Sequence, residues 1–185
     1  MAGAFRATGI DYFLGGSLAS SFQGEPRATN DIDFVVDMTP AQAEELASSL
    51  GEDFLVDTGA LADALAHGRA WNVMHLPTVT KIDLIPLGTS PFDKSEFSRR
   101  MRVEARPGET VFLKQPEDTV LRKLLWFRDG GGVSERQWRD VVGVLRHSRA
   151  QIDAGYMNQW AATLALGELL DAARREANPG LPGRD

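Results

Sequence analysis

Apolar and polar positions change rhythm once along this chain. Up to about residue 115 they alternate, or run in short apolar bursts broken by glycine and proline. From Pro116 onward they recur at three- and four-residue spacing, the period of helices with one buried face. The burst at 11–14 is halted by Gly15-Gly16 and followed by a helix-like stretch at 17–22, which predicts strand, tight turn, helix. DIDFVVD at 31–37 alternates and is β-branched, so it predicts a strand. Residues 40–50 predict a helix: Ala43, Leu46, Ala47 and Leu50 share a face, Thr39 suits the N-cap, Pro40 the first turn, and Gly51 the end. The pattern then predicts a strand over 54–56, a short helix over 61–67, and strands over 71–76 and 81–87 joined by Leu76-Pro77-Thr78. A hairpin of 99–105 with 110–113, through Pro107-Gly108, completes this part.

Four helices are predicted after that, over 117–127, 134–147, 153–164 and 167–177, with Gly130-Gly131-Gly132 as the one long break. Leu121, Leu124, Leu125, Trp138, Val141, Val142, Leu145, Trp160, Leu164 and Leu169 supply apolar stripes for a small antiparallel bundle. The expected architecture is therefore α+β: a mixed sheet flanked by helices over 1–115, a helical subdomain over 116–177, and a frayed tail at 178–185.

Composition changes this picture little. The 185 residues, 43% hydrophobic and 25% charged, suit a globular core with a helical annex. The absence of cysteine excludes disulfides and thiolate metal sites, and no run is apolar enough to cross a membrane, so the cytoplasm is the expected compartment. Charge is more informative because it is uneven. The net charge of −6 argues against a general nucleic-acid binder, yet residues 94–149 carry 13 Lys and Arg against 8 Asp and Glu, while the remainder carries 7 against 18. The middle can present a basic face to a phosphate-rich partner or simply solvated helix surfaces.

The candidate chemistry lies in the acids. Asp31 and Asp33, two apart on a strand, leave the same face with Cα atoms roughly 7 Å apart. Like charges so placed repel each other unless a cation offsets them. Lys81-Ile82-Asp83-Leu84-Ile85 is a second strand with one acid in an otherwise apolar run. If it pairs beside the first, three carboxylates converge in the oxygen-rich arrangement that Mg²⁺ accepts when phosphate and water complete its shell. Gly15-Gly16-Ser17, where a strand turns into a helix, offers backbone N–H groups and a helix N-terminus to a phosphate. It is not a Walker A loop, since no lysine follows it.

Together, GGS, then DID thirteen residues later, then a strand acid resemble the DNA polymerase beta-like nucleotidyltransferase superfamily. The phrase FLGGSLASSFQGEPRATNDIDFVV is similar to its minimal bacterial branch of AbiEii-type abortive-infection toxins, including Arg27 and Thr29 ahead of DID. PEDTVLRKLLWFRD is similar to that branch's helix with a functional lysine, here Lys123, and RQWRDVVGVL to its later helix with an aspartate, here Asp140. No element is predicted before residue 11, although members of that family usually carry a helix there.

The resemblance implies a nucleotidyltransferase that uses Mg²⁺ or Mn²⁺ held by Asp31, Asp33 and Asp83, with those three acids and Lys123 as catalytic residues. It implies NTP binding by Gly15, Gly16, Ser17, Arg27, Thr29, Lys123 and Asp140. Lys123 is expected to be either a phosphate contact or a solvated helix lysine, and Asp140 either orients it or pairs with an arginine. The implied acceptor is tRNA or another RNA, and the implied protein partner an antitoxin. Transfer to an antibiotic or a protein, and a non-catalytic nucleotide-binding module on the same fold, stay open beside it. His67, His75 and His147 lack the spacing of a zinc site, and Trp126, Trp138 and Trp160 are expected in the core.

Overall fold

Residues 1–178 are described by a computed structural model, and the tail expected at 178–185 lies outside them except for Asn178. The alternating segments become strands, and the three- and four-residue pattern becomes helices. In chain order these are α1 (Ala2–Ala7), β1 (Asp11–Leu14), α2 (Gly16–Gln23), β2 (Asp31–Asp37), α3 (Pro40–Ser49), β3 (Phe54–Val56) and α4 (Thr58–His67). They continue with β4 (Trp71–His75), β5 (Thr80–Pro86), α5 (Pro91–Ser98), β6 (Met101–Arg106), β7 (Glu109–Leu113), α6 (Pro116–Asp129), α7 (Glu135–His147), α8 (Ala154–Thr163) and α9 (Gly167–Ala177). No helix among the described residues is long and apolar enough to cross a membrane.

The chain forms two compact units that are not contiguous in sequence: Met1–Leu18 with Ala28–Lys114, and Ala19–Arg27 with the chain from Gln115 onward. The first holds a mixed sheet of order β3-β4-β5-β2-β1-β7-β6. Its centre is a parallel pair, β2 beside β5, in the register Asp31↔Lys81, Ile32↔Ile82, Asp33↔Asp83 and Phe34↔Leu84. Side chains alternate, so Phe34, Val36, Ile82 and Leu84 are buried on one face while the acids emerge on the other. On the buried face Phe5 packs against Tyr12 at 4.8 Å and Phe34 at 5.1 Å between ring centroids, and Ala43 and Leu46 of α3 are fully buried. On the acids' face Phe13 meets Phe97 of α5 at 5.7 Å.

Two elements of this unit escape the sequence pattern. The first, α1, is six residues long and contributes Phe5 alone to the core, too little for a stripe. The second, α5, buries Phe92, Glu96 and Phe97, and its start is marked by a reciprocal cap between Ser90 and Asp93. Thr39 and Gln42 cap α3 in the same way.

In the second unit, Val120, Leu121 and Leu124 of α6, Val141, Val144 and Leu145 of α7, Met157 of α8 and Leu170 of α9 form the core. The 19–27 segment is strapped to it. Ser148 Oγ donates to the Gln23 carbonyl at 2.7 Å, and Thr119 Oγ1 donates to Gln23 Oε1 at 2.6 Å. A Cβ on Gly24 would lie 2.8 Å from the Val144 nitrogen, so only glycine lets this segment approach α7 so closely.

Candidate active site

The parallel pairing of β2 with β5 puts Asp33 directly opposite Asp83, with Asp31 two residues earlier on the same face. Asp31 is exposed, and Asp33 and Asp83 are half-buried. Thr29 braces the start of β2: its Oγ1 donates to the Asp31 carbonyl at 3.1 Å and accepts from the Asp31 N–H at 3.3 Å.

The glycine turn is built onto the same acid strand. The Gly15 N–H donates to the Asp33 carbonyl at 2.8 Å. Gly16 has φ +55°, and a Cβ there would fall 1.7 Å from Asp33 Oδ2. The turn therefore lies against the Asp33 carboxylate, in a conformation that glycine adopts without strain. Ser17 follows in the first turn of α2 and is half-buried.

Lys81 is a residue of this site that the sequence reading did not single out. Its Nζ donates to Asp83 Oδ2 at 2.7 Å. That hydrogen bond, outweighing a small burial penalty and aided by the charges of Asp83, Asp31 and Asp33, holds the ammonium above the ordinary lysine range. Its signal was available, because position 81 shares a face with position 83. Lys114 and Glu96, a buried pair at 2.7 Å, carried no such signal: α5 and β7 bring them together from distant segments.

Among the described residues, no three His, Asp or Glu side chains are gathered closely enough to hold an ion as they stand. Asp83 is turned to Lys81, and Asp33 lies against Gly16. In chemistry and placement the donors nonetheless fit a hard divalent cation: three carboxylates on one face, two of them in register, beside a turn suited to phosphate.

The remaining residues singled out from the sequence meet in the second unit. Asp140 Oδ2 accepts from Lys123 Nζ at 2.7 Å and from Ser20 Oγ at 3.1 Å, and Arg27 Nε donates to Asp140 Oδ1 at 3.3 Å. Gln137 Oε1 accepts from Lys123 at 3.0 Å. Lys123 is 2% exposed, which rules out the alternative of a solvated helix lysine: it lies on the face of α6 that also buries Val120 and Leu124. Asp140 both holds Lys123 and pairs with an arginine. Burial alone would raise the Asp140 carboxyl, but the Lys123 ammonium and then the Arg27 guanidinium outweigh it and hold Asp140 below the usual carboxylate range.

Trp126 corrects another expectation, being 41% exposed rather than in the core. The three histidines bond to nearby groups: His67 to the Asp63 carbonyl, His75 to Thr78, and His147 to the Gly143 carbonyl. A cleft of about 730 Å³ on the second unit, lined by Phe127, Trp138, Arg139, Val142 and Leu169 among others, contains none of the sheet acids.

No protein-family model matches the chain, and no curated protein matches it. Among solved structures, an antigenic nucleotidyltransferase-like protein from Paracoccidioides brasiliensis superposes with a TM-score of 0.56 at 18% identity, over 95% of this chain and 88% of that one. The antibiotic-resistance factor ANT(2'')-Ia superposes with a TM-score of 0.51 at 14% identity, over 92% of this chain and 90% of that one. At such identities the likeness is one of fold, and the fold is that of the nucleotidyltransferases.

Proposed function

We propose that this chain is a nucleotidyltransferase that moves an NMP from an NTP to a hydroxyl acceptor and releases pyrophosphate. The observation that carries the reading is the register of Asp33 with Asp83, with Asp31 beside them and the Gly15-Gly16 turn bonded to the same strand. In this reading the triphosphate lies over Gly16 and Ser17, whose backbone and helix N-terminus favour anions. Asp31, Asp33 and Asp83 hold Mg²⁺ or Mn²⁺, which when bound neutralises phosphate charge and lowers the cost of building more at the leaving pyrophosphate. Asp83, opposite Asp33, takes the proton of the acceptor hydroxyl as it attacks the α-phosphorus. Thr29 keeps Asp31 in place. Catalysis of this kind rests on positioning and charge more than on a protein nucleophile. Lys123 and Arg27 are engaged by Asp140, so the chemistry is assigned to the sheet unit.

The similarity of residues 13–36 and 116–145 to the AbiEii-type branch favours an RNA acceptor and an antitoxin partner, as does the basic stretch at 94–149. The test is to incubate the purified chain with α-labelled NTPs and Mg²⁺ in the presence of tRNA, total protein or small-molecule pools. Label on RNA with pyrophosphate release, abolished by EDTA and by Asp33→Asn, is the expected result. Label on protein or on a small molecule would keep the chemistry and replace the acceptor. No pyrophosphate from any NTP with any pool would overturn the reading.

A further inference from the structure

Three lysine–carboxylate pairs among the described residues fall into two kinds. Lys123 with Asp140 has side chains 3% and 7% exposed, and Lys114 with Glu96 has both at 4%. These cations are locked in. Lys81 with Asp83 is at 43% and 17%, and the Lys81 ammonium donates to Asp83 Oδ2 at 2.7 Å. It also stands among more acid than it can neutralise: Asp83 is two residues along its own strand on the same face, and Asp31 is its register partner on β2, two residues before Asp33.

An ammonium on a four-carbon stem is a compact, mobile point charge, and an exposed pair of this kind is held weakly. A divalent ion brings twice the charge to the same oxygens. We infer that Lys81 is the acid cluster's own exchangeable counter-cation: it holds Asp83 until a divalent ion binds and gives it up when one does, so that Lys81 sets the ion concentration the site requires. The inference rests on the proposed metal site and adds a residue that acts on its affinity.

The experiment measures Mn²⁺ binding to the full chain without nucleotide, by the electron paramagnetic resonance of free Mn²⁺, for wild type, Lys81→Met and Lys81→Gln. Without the competing charge, Lys81→Met should bind Mn²⁺ about tenfold more tightly, a difference of about 1.4 kcal/mol. Lys81→Gln keeps a donor for Asp83 but no charge, and should bind as tightly as Lys81→Met. In EDTA both variants should melt below wild type, and both should gain more from added Mn²⁺ than wild type does. Affinities within twofold of wild type, or weaker, would overturn the inference while leaving the metal site standing. Wild type that binds no Mn²⁺ would overturn the metal site and this inference with it.

Discussion

Two clusters built from the same residue types are organised in opposite ways. In the helical unit one carboxylate, Asp140, faces two cations, Lys123 and Arg27, and the group is almost wholly buried around Asp140 and Lys123. In the sheet unit three carboxylates share a face with the ammonium of Lys81, and the group is open to water. The buried cluster is paired within the protein. Its charges left water at a cost that their mutual attraction and hydrogen bonds must offset, so each member is needed by the others. In the open cluster Lys81 is bonded to Asp83 beside two further acids on the same face, where under the proposed function a cation of higher charge would bind. What separates a candidate site from a structural ion pair is the imbalance of charge and its exposure, not the presence of charged residues.

The strongest way to break this comparison is to remove a cation from the buried cluster. Lys123→Met keeps the aliphatic stem but leaves Asp140 with Arg27 and Ser20 only, and breaking a buried pair in this way costs about 3–5 kcal/mol. Denaturant melts should show a loss near the low end of that range, because Arg27 remains. A loss below about 1 kcal/mol, the usual effect at a surface site, would mean the cluster is no more structural than the sheet acids. Acid titration gives a second handle. The Asp140 carboxyl is lower in the folded protein than in the unfolded chain, so its stabilisation is complete above the ordinary aspartate range and fades as pH falls through its lowered folded value. Asp140→Asn should be less stable than wild type at neutral pH, with the gap closing as the pH drops below about 4.

The sheet cluster can be attacked through its backbone support. Gly16→Ala places a Cβ 1.7 Å from Asp33 Oδ2 at φ +55°, whereas a Cβ on Gly15 would meet Phe13 at an ordinary 3.7 Å. The strained backbone and displaced carboxylate should together cost Gly16→Ala about 1–3 kcal/mol and most nucleotide binding. Gly15→Ala should stay within about 1 kcal/mol of wild type and keep its binding. Melts and NTP titrations of the two variants side by side check this, and equal behaviour would detach the turn from the acid strand.

How far these clusters could be seen in the sequence differs in the same way. The acid strands were legible because alternation assigns faces directly: positions 31, 33 and 83 sit among buried partners of opposite parity, and pairing β2 with β5 needs no register shift. Lys81 obeys the same parity. The buried cluster was half legible. Arg27, Lys123 and Asp140 stood out by resemblance, but periodicity sorts residues by polarity and so assigns a helix lysine to the solvent side. Only the approach of α7 and the 19–27 segment makes the Lys123 position an interior one. That approach depends on Gly24 fitting against Val144, and a lone glycine in QGEP reads as a turn. The helices α1 and α5 were missed because each is too short to repeat its apolar positions.

The smallest expected effect carries the opposite sign, and that makes it the sharpest test of the contrast. Asp33→Asn is nearly isosteric and removes one negative charge from a cluster that has too many. Asp83 stands opposite and Asp31 two residues away, and Lys81 bonds to Asp83, so the substitution removes a charge that its acidic neighbours repel. Relief of repulsion between exposed or half-buried acids is worth a few tenths of a kcal/mol up to about 1 kcal/mol. In EDTA the variant should therefore melt at or slightly above the wild-type temperature. With Mg²⁺ and NTP the order should reverse, because wild type gains stability by binding a ligand that the variant binds poorly. Turnover, if the proposed chemistry holds, should fall by at least a hundredfold, as for other groups that act only on the charge of the transition state. Melting curves with and without ions separate the possibilities. If Asp33→Asn loses more than about 1 kcal/mol in EDTA, Asp33 is a structural acid like Asp140, and the surplus of charge on this face has no meaning for binding.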